Sequence, residues 1–567
     1  MKAFTLKFIF LAITALIITS SGCKKDEIPE SEIPRIDNVE PQEGTVGTEL
    51  TITGANFQSG ANVFVGNKAS GNVEVTSGSI IYAKVPSGIP GNVLLSVTVI
   101  NPGGGEHVLQ EAFTAIDPEL HFINSATKPS GNIGSTAIIE GRAFGDIQGE
   151  GKILFSDGEG GTIEAIISDE DDWTDEFIIT TVPNGTKDGP VLVQTEIGTS
   201  NEIDFMVTEA ATFSPSTINW TLTTPLPVGV SGHKSVSFPI ESGDNITNRF
   251  VHVLGGRDEN GTSLNQALVG KINIDGTISS WANTTALSSG LSFHASVVAT
   301  PFNSKIEGDG FVYVLGGTGS DGAPVSTVSF AALNNDGTLQ VWNTTTPLPQ
   351  ALHSAGAVLF RNTIYVAGGA TTGNSPVANV YSANINENGQ LDGWVALHSL
   401  PTALAYHGLA SFGGYLYVVG GETGTAEPDA ETQVAPTDEV YYSRINLRTS
   451  EINDWTSNPN TIQKARSKHS TLVLGGSVFV TSGLYSGLSA GVPGSSENIY
   501  ANINSDGTIE GFNGATGSNT LFSAGGSNLF NQSGISYIDA DGVAHVMIIG
   551  GARYGAPDTK LDNVLFY

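Results

Sequence analysis

Between Thr212 and Tyr567 a pair of glycines returns at near-constant spacing, and this recurrence restricts the fold more than any other feature of the chain. The pairs stand at Gly255-Gly256, Gly316-Gly317, Gly368-Gly369, Gly420-Gly421 and Gly550-Gly551, with Ser482-Gly483 as a degenerate member. An aromatic series runs in step through Trp220, Trp281, Trp342, Trp394, Trp455 and, as a substitute, Phe512. Both series count six at a period of roughly 60 residues, as expected of units that bury a face only against their neighbours. Each pair follows a short apolar run, such as Phe311-Val312-Tyr313-Val314-Leu315 or Ile364-Tyr365-Val366-Ala367. After it come a polar loop, a strand such as Val440-Tyr441-Tyr442, a tight turn and the strand bearing the aromatic, so each unit reads as four strands.

This combination of double glycine, following tyrosine and spaced tryptophan resembles the kelch-type β-propeller, and the resemblance covers 212–567. It implies an all-β fold with a six-bladed propeller. Trp220 precedes the first glycine pair, whereas the last unit stops at Leu565-Phe566-Tyr567 with one strand still owed. The phase therefore predicts that the strand near Thr217 to Thr224 completes the sixth unit and closes the ring, leaving few free sheet edges. Asp275-Gly276, Asp336-Gly337, Asn388-Gly389 and Asp506-Gly507 precede aromatics and read as hairpin turns, because these dipeptides accept positive φ.

In a four-stranded antiparallel unit, the loop after each glycine pair and the segment leading into the innermost strand share one face, and the Asp-Gly turns lie on the other. The first face then receives Arg257, Asp258, Glu422, Tyr485, Arg553 and Tyr554 from post-glycine loops, and Tyr406, Arg466 and Lys468 from lead-in segments. Arg257 and Arg553 do not repeat, and a planar guanidinium grips carboxylate, sulfate or sugar hydroxyls bidentately. Tyr485 and Tyr554 offer ring faces to sugar C–H groups. His233, His294, His353, His407 and His469 stand at the starts of five innermost strands. Imidazoles around an axis can bind metal, but five-fold recurrence points to a part in the units themselves.

The first half reads as a duplicated module. Gly44, Gly47, Gly54 and Phe57 have the same spacing as Gly131, Gly134, Gly141 and Phe144. Glu49-Leu50-Thr51-Ile52-Thr53 alternates as a half-buried strand. Pro41, Gly47-Thr48 and Gly54-Ala55-Asn56-Phe57 resemble the opening of the IPT/TIG immunoglobulin-like family, over about Ile33 to Asp204. The resemblance implies two β-sandwiches, domain 1 over 34–116 and a looser domain 2 over 117–209, serving as spacers or adhesive units. The acidic run Ser168 to Glu176 brings Asp169, Asp171 and Asp172 together, weak calcium candidates beside a plain solvated loop, with Trp173 as an exposed ring for sugar stacking.

The N-terminus reads as an address: Lys2 and Lys7 precede an apolar run from Phe8 to Thr19, too short to span a bilayer comfortably. Ser20-Ser21-Gly22-Cys23 resembles a bacterial lipobox, which implies a signal peptide over 1–22, acylation of Cys23 and a linker over 23–33. Acyl chains anchor at roughly 0.8 kcal/mol per buried CH₂. Lys24-Lys25-Asp26-Glu27 resembles the signal that sends some lipoproteins to the outer face of the outer membrane. Cys23 is the only cysteine, which excludes an intrachain disulfide and a cysteine zinc site. A net charge of -32 argues against nucleic acid. With no cysteine to spare and no nucleophile elbow, phosphate loop or His-Glu-x-x-His, the leading expectation is a surface lipoprotein that binds extracellular glycan or protein. It needs no cofactor other than possible calcium. A sugar isomerase, mutarotase or lyase, and a structural adhesin, are the alternatives.

Overall fold

The computed structural model describes residues 32–567 apart from 125–128, 132, 208–217, 219, 243–244, 301–309, 426, 475, 486–497, 515–528 and 540–542. The predicted leader, Cys23 and most of the linker lie outside the described residues. The described secondary structure is strand with short 3₁₀ turns and no α-helix. Two compact units are present, one built from the chain up to Ala115 and one from Ile116 to Tyr567, the latter also taking in Thr45–Gly47 and Pro90–Asn92.

The first unit is a sandwich. One sheet orders its strands Arg35–Glu40, Glu49–Ala55, Ile80–Lys84, Glu74–Ser77; the other orders Glu43–Gly44, Glu106–Ala115, Leu94–Ile100, Asn62–Val65, Lys68–Ala69. The alternation read in sequence buries Leu50 and Ile52, as Val63, Val65, Ile81, Val97, Val99 and Phe113 are buried on the neighbouring strands.

The second unit opens with a sandwich of the same order but one strand fewer among the described residues: Glu119–Ile123, Thr136–Arg142, Phe177–Thr181 facing Ser130–Gly131, Ile203–Val207, Gly189–Gln194, Lys152–Ser156, Thr162–Glu164. The shared glycine and aromatic spacing has a steric cause. A Cβ on Gly54 would lie 1.8 Å from the Arg35 carbonyl oxygen and 2.7 Å from the Phe57 ring, and one on Gly141 would lie 2.0 Å from the Glu119 oxygen and 2.5 Å from the Phe144 ring. The aromatic folds back onto the bare backbone of the glycine that precedes it.

Six four-stranded antiparallel sheets follow. Their innermost strands are Lys234–Ser242, Ala295–Ala299, Gly356–Phe360, Gly408–Phe412, Ser470–Leu474 and Ser533–Ile538. Each packs beside the next, and the sixth packs beside the first. Thr221–Leu222 pairs with Val564–Phe566 as the outermost strand of the sixth sheet, the pairing that the repeat phase required.

Just before the innermost strands the backbone makes a second closure. Gly232, Phe293, Ser354, Tyr406, Lys468 and Asn531, one per sheet, all have φ between 52° and 60°. Each amide donates to the carbonyl of its counterpart in the preceding sheet at 2.7–3.2 Å, and Gly232 donates to Asn531. Six hydrogen bonds thus form an unbroken cycle.

The glycine pairs sit against this cycle. The second glycine donates to a lead-in carbonyl of the next sheet, from Gly256 to Leu291 through to Gly551 to Val230. Its missing Cβ makes room for the residue after the cycle member: a Cβ on Gly317 would lie 2.7 Å from the His294 Cβ, and one on Gly421 2.8 Å from the His407 Cβ. The first glycine of the preceding sheet leaves space for the imidazole ring, as Gly368 does for His407 and Gly550 for His233. Each such histidine is therefore clasped between two glycine pairs. Farther out, Trp281, Trp342, Trp394 and Trp455 donate their indole N–H to Thr224, Thr285, Thr346 and His398 carbonyls of the preceding sheet. The Asp-Gly turns are hairpin ends in which Asp275, Asp336 and Asp506 accept from the threonine two residues on, a bond that holds each carboxyl below its usual range.

Two expectations about the acidic run need correction. Trp173 is buried, not exposed, and its indole donates to the Phe144 and Gly145 carbonyls. The run is not a free loop: it faces the third and fourth sheets. Asp172 pairs with Arg444, Asp171 with Arg448 at 3.1 Å, and Arg361 lies 4.4 Å above the Phe177 ring. Burial, partly offset by Arg444, raises Asp172 to about 6. Asp169 caps the turn and stands 3.9 Å from Arg444. Among the described residues no three His, Cys, Asp or Glu side chains gather as metal ligands.

Gly421 has φ +106 and no room for a Cβ. Gly421→Ala is expected to destabilise the second unit by about 3 kcal/mol or more, read as a lowered urea midpoint, whereas Gly393→Ala, at an open position, changes it little.

Candidate binding face and axial cavity

The residues that follow the glycine pairs do share an end of the ring with the lead-in segments. Backbone bridges join Ser231 to Arg257, His353 to Ala370 and Ala405 to Glu422, and the short pairs Leu291–Ser292 with Thr318–Gly319, Arg466–Ser467 with Leu484–Tyr485 and Leu529–Phe530 with Ala552–Arg553 fill the other places. Arg257 and Glu422 consequently occupy equivalent positions, and each reaches the serine of the next sheet: Arg257 Nε donates to Ser292 Oγ at 3.1 Å, and Glu422 accepts from Ser467 Oγ at 2.5 Å.

The described residues of 423–436, between the second and third strands of the fourth sheet, draw this end together. Asp429 accepts from Arg257 at 2.8 Å and faces Lys560 at 3.5 Å. Lys468 donates to the Glu427 and Ala430 carbonyls, Asn531 to the Pro428 carbonyl, and the Gly555 amide to Glu431. The segment thereby bonds to groups of the first, fifth and sixth sheets.

The expected binding residues fare differently under this arrangement. Arg257 is committed to Asp429 and stacks 5.0 Å over Phe293. Glu422 is fully buried and also accepts from the Val434 amide. Arg466 is buried, donates to the Ser482 carbonyl and lies over the Tyr485 ring, which Lys464 also covers at 5.0 Å. Asp258 accepts from the amides of Asn260 and Thr262 and so serves its own turn. Arg553 and Tyr554 remain half-buried, with Tyr554 resting on Leu484, Phe530 and Ala552.

The histidine series also needs correction. His233, His294, His407 and His469 directly precede their innermost strands, as does Gln532, but the third sheet has Ala355 there. His353 lies two residues earlier, bonded to Ser354 Oγ at 3.0 Å, because it stands on the far side of the cycle residue.

Inside the cycle lies a solvent-open cavity of about 60 Å³, lined by groups of all six sheets, among them the four clasped histidines, Lys234, Lys468, Tyr406 and Gln532. Burial, reinforced by the Lys234 charge, lowers His233 and His294 to about 3 and His407 to about 4; burial, then Arg466, lowers His469 to about 3. Burial likewise brings Lys468 to about 8 against the pull of Glu422, Asp429 and Glu427. Lys234 was not singled out in sequence, although it is the one cation at the first position of an innermost strand.

Residues 34–115, the first sandwich, match the family model described as the IPT/TIG domain. No curated protein matches the chain.

Because the native imidazoles take protons only near pH 3 to 4 while the unfolded ones take them near 6.5, the unfolded chain binds more protons between these values. Stability then falls as pH drops through 6.5, at up to ~1.4 kcal/mol per pH unit for each histidine. Urea midpoints measured from neutral pH down to about 4.5 should decline, and His294→Gln with His407→Gln, which introduce the side chain found at Gln532, should flatten the decline. An unchanged slope in that variant would contradict the buried neutral assignment.

Proposed function

We propose that the six sheets are the blades of a kelch-type β-propeller and that the chain is a surface lipoprotein, tethered through acylated Cys23 in the outer membrane, that binds an extracellular glycan or protein with the propeller. The immunoglobulin-like IPT/TIG module at 34–115 is consistent with a spacer or adhesin role. Its duplicate before the propeller supports a stalk of two such modules.

One observation carries the binding reading. A chain with net charge -32 places Arg257, Lys468, Arg553 and Lys560 on the segments at one end of the ring. Arg257, Lys468 and Lys560 are held by the Thr423–Pro436 segment. Arg553 bonds to no described side chain and stands beside half-buried Tyr554, so a guanidinium and an aromatic ring are together available to an acidic or hydroxyl-rich partner.

The reading is tested by screening the purified protein against a panel of neutral and acidic glycans while assaying for their conversion. Binding without turnover, weakened about tenfold or more by Arg553→Ala with Tyr554→Ala, is the expected result. Product formation would replace the reading with an isomerase or lyase, and a blank panel would favour a structural adhesin. The address is tested separately: Cys23→Ala should move the protein from the membrane fraction to the soluble one, and external protease should digest the unaltered form on whole cells.

A further inference from the structure

The cavity inside the cycle holds a charge with no counter-charge. Lys234 is the first residue of the first innermost strand, and its side chain makes no hydrogen bond or ion pair with any described residue. The corresponding positions in the other sheets are Ala295, Gly356, Gly408, Ser470 and Ser533, so nothing in the repeat calls for a lysine there. The lining contains two lysines and four histidines but no carboxylate. Lys468, the other lysine, is already held by the Glu427 and Ala430 carbonyls at 2.9 and 2.7 Å. The imidazoles around Lys234 do not offset its charge: His233, His407 and His469 turn to the Ile549, Ala367 and Val419 carbonyls.

Burial toward the axis disfavours the Lys234 ammonium, and the neutral imidazoles bring no negative charge to balance it. The composition of the lining is therefore unbalanced in one direction. Metal does not answer it, since a cation would add to the charge of Lys234 and the histidines do not gather as ligands. We propose that the axial cavity is a binding site for one small oxyanion, a phosphate or a carboxylate, held by the Lys234 ammonium in a lining that has no carboxylate of its own. The ion completes a charge pair. This site is independent of the glycan reading, because its occupant is defined by Lys234 and not by Arg553 or Tyr554.

Isothermal titration of the purified protein with inorganic phosphate, galacturonate and neutral galactose tests it, together with thermal midpoints in the same solutions. One phosphate or galacturonate per chain is expected to bind at millimolar or lower concentration and to raise the midpoint, with galactose inert. Tighter binding of galacturonate than of phosphate would identify the anion as one borne on a sugar, and the reverse order as a free ion; either supports the site. Lys234→Met, close in volume and relieved of the charge, should bind at least about tenfold more weakly, lose the anion-dependent shift and melt higher than the parent without anion. Lys271→Met, at an exposed position of the third strand of the first sheet, should behave as the parent. Absence of binding by both anions, or binding that Lys234→Met leaves unchanged, would overturn the proposal.

Discussion

The second unit depends on a backbone cycle that only a particular conformation can make. Six residues with positive φ donate hydrogen bonds one to the next until the last meets the first, and the chain can turn this way only where the adjoining glycine pairs lack side chains. The second glycine of each pair lies against the lead-in of its own sheet, where the missing Cβ leaves room, while its amide bonds to the lead-in of the next. The clasped histidines follow from this geometry. Their Cβ occupies the space left by one glycine, and their ring occupies the space left by another.

Much of this was legible in the sequence because repetition multiplies weak signals. A single Gly-Gly or tryptophan predicts little, but six copies in phase located the strands, the hairpin turns and the pairing of Thr221–Leu222 with the C-terminal strand. The glycine and aromatic spacing of the first half likewise reflects one steric device used twice, at Gly54 with Phe57 and at Gly141 with Phe144. What was not legible depends on contacts between distant parts of the chain. Nothing local to Trp173 indicates that its indole is buried, and nothing near Asp171 or Asp172 announces Arg448 or Arg444, almost three hundred residues later in the chain. Asp429 similarly turned Arg257 from a free guanidinium into half of an ion pair. His353 was misread for a subtler reason: a shift of two residues leaves the pattern to the eye but moves the ring to another side of the cycle.

The division between what repeats and what does not runs through the whole molecule. Glycine pairs, clasped histidines and latched tryptophans hold sheet to sheet, and their recurrence is the mark of that duty. Lys234, Arg553 and the Thr423–Pro436 segment occur once, and all three belong to the end of the ring or its axis. In an acidic chain, Lys234 and Arg553 are cations placed without repetition, and both binding proposals rest on them.

Closure is the premise of this account, and hydrogen exchange at the cycle amides tests it most directly. Gly232, Phe293, Ser354, Tyr406, Lys468 and Asn531 should exchange together, through one cooperative opening of the second unit, with Gly232 at the seam as slow as Tyr406 opposite it. Rapid exchange at Gly232 and Asn531 alone would show that the sixth sheet opens independently and that the six sheets do not form a closed ring.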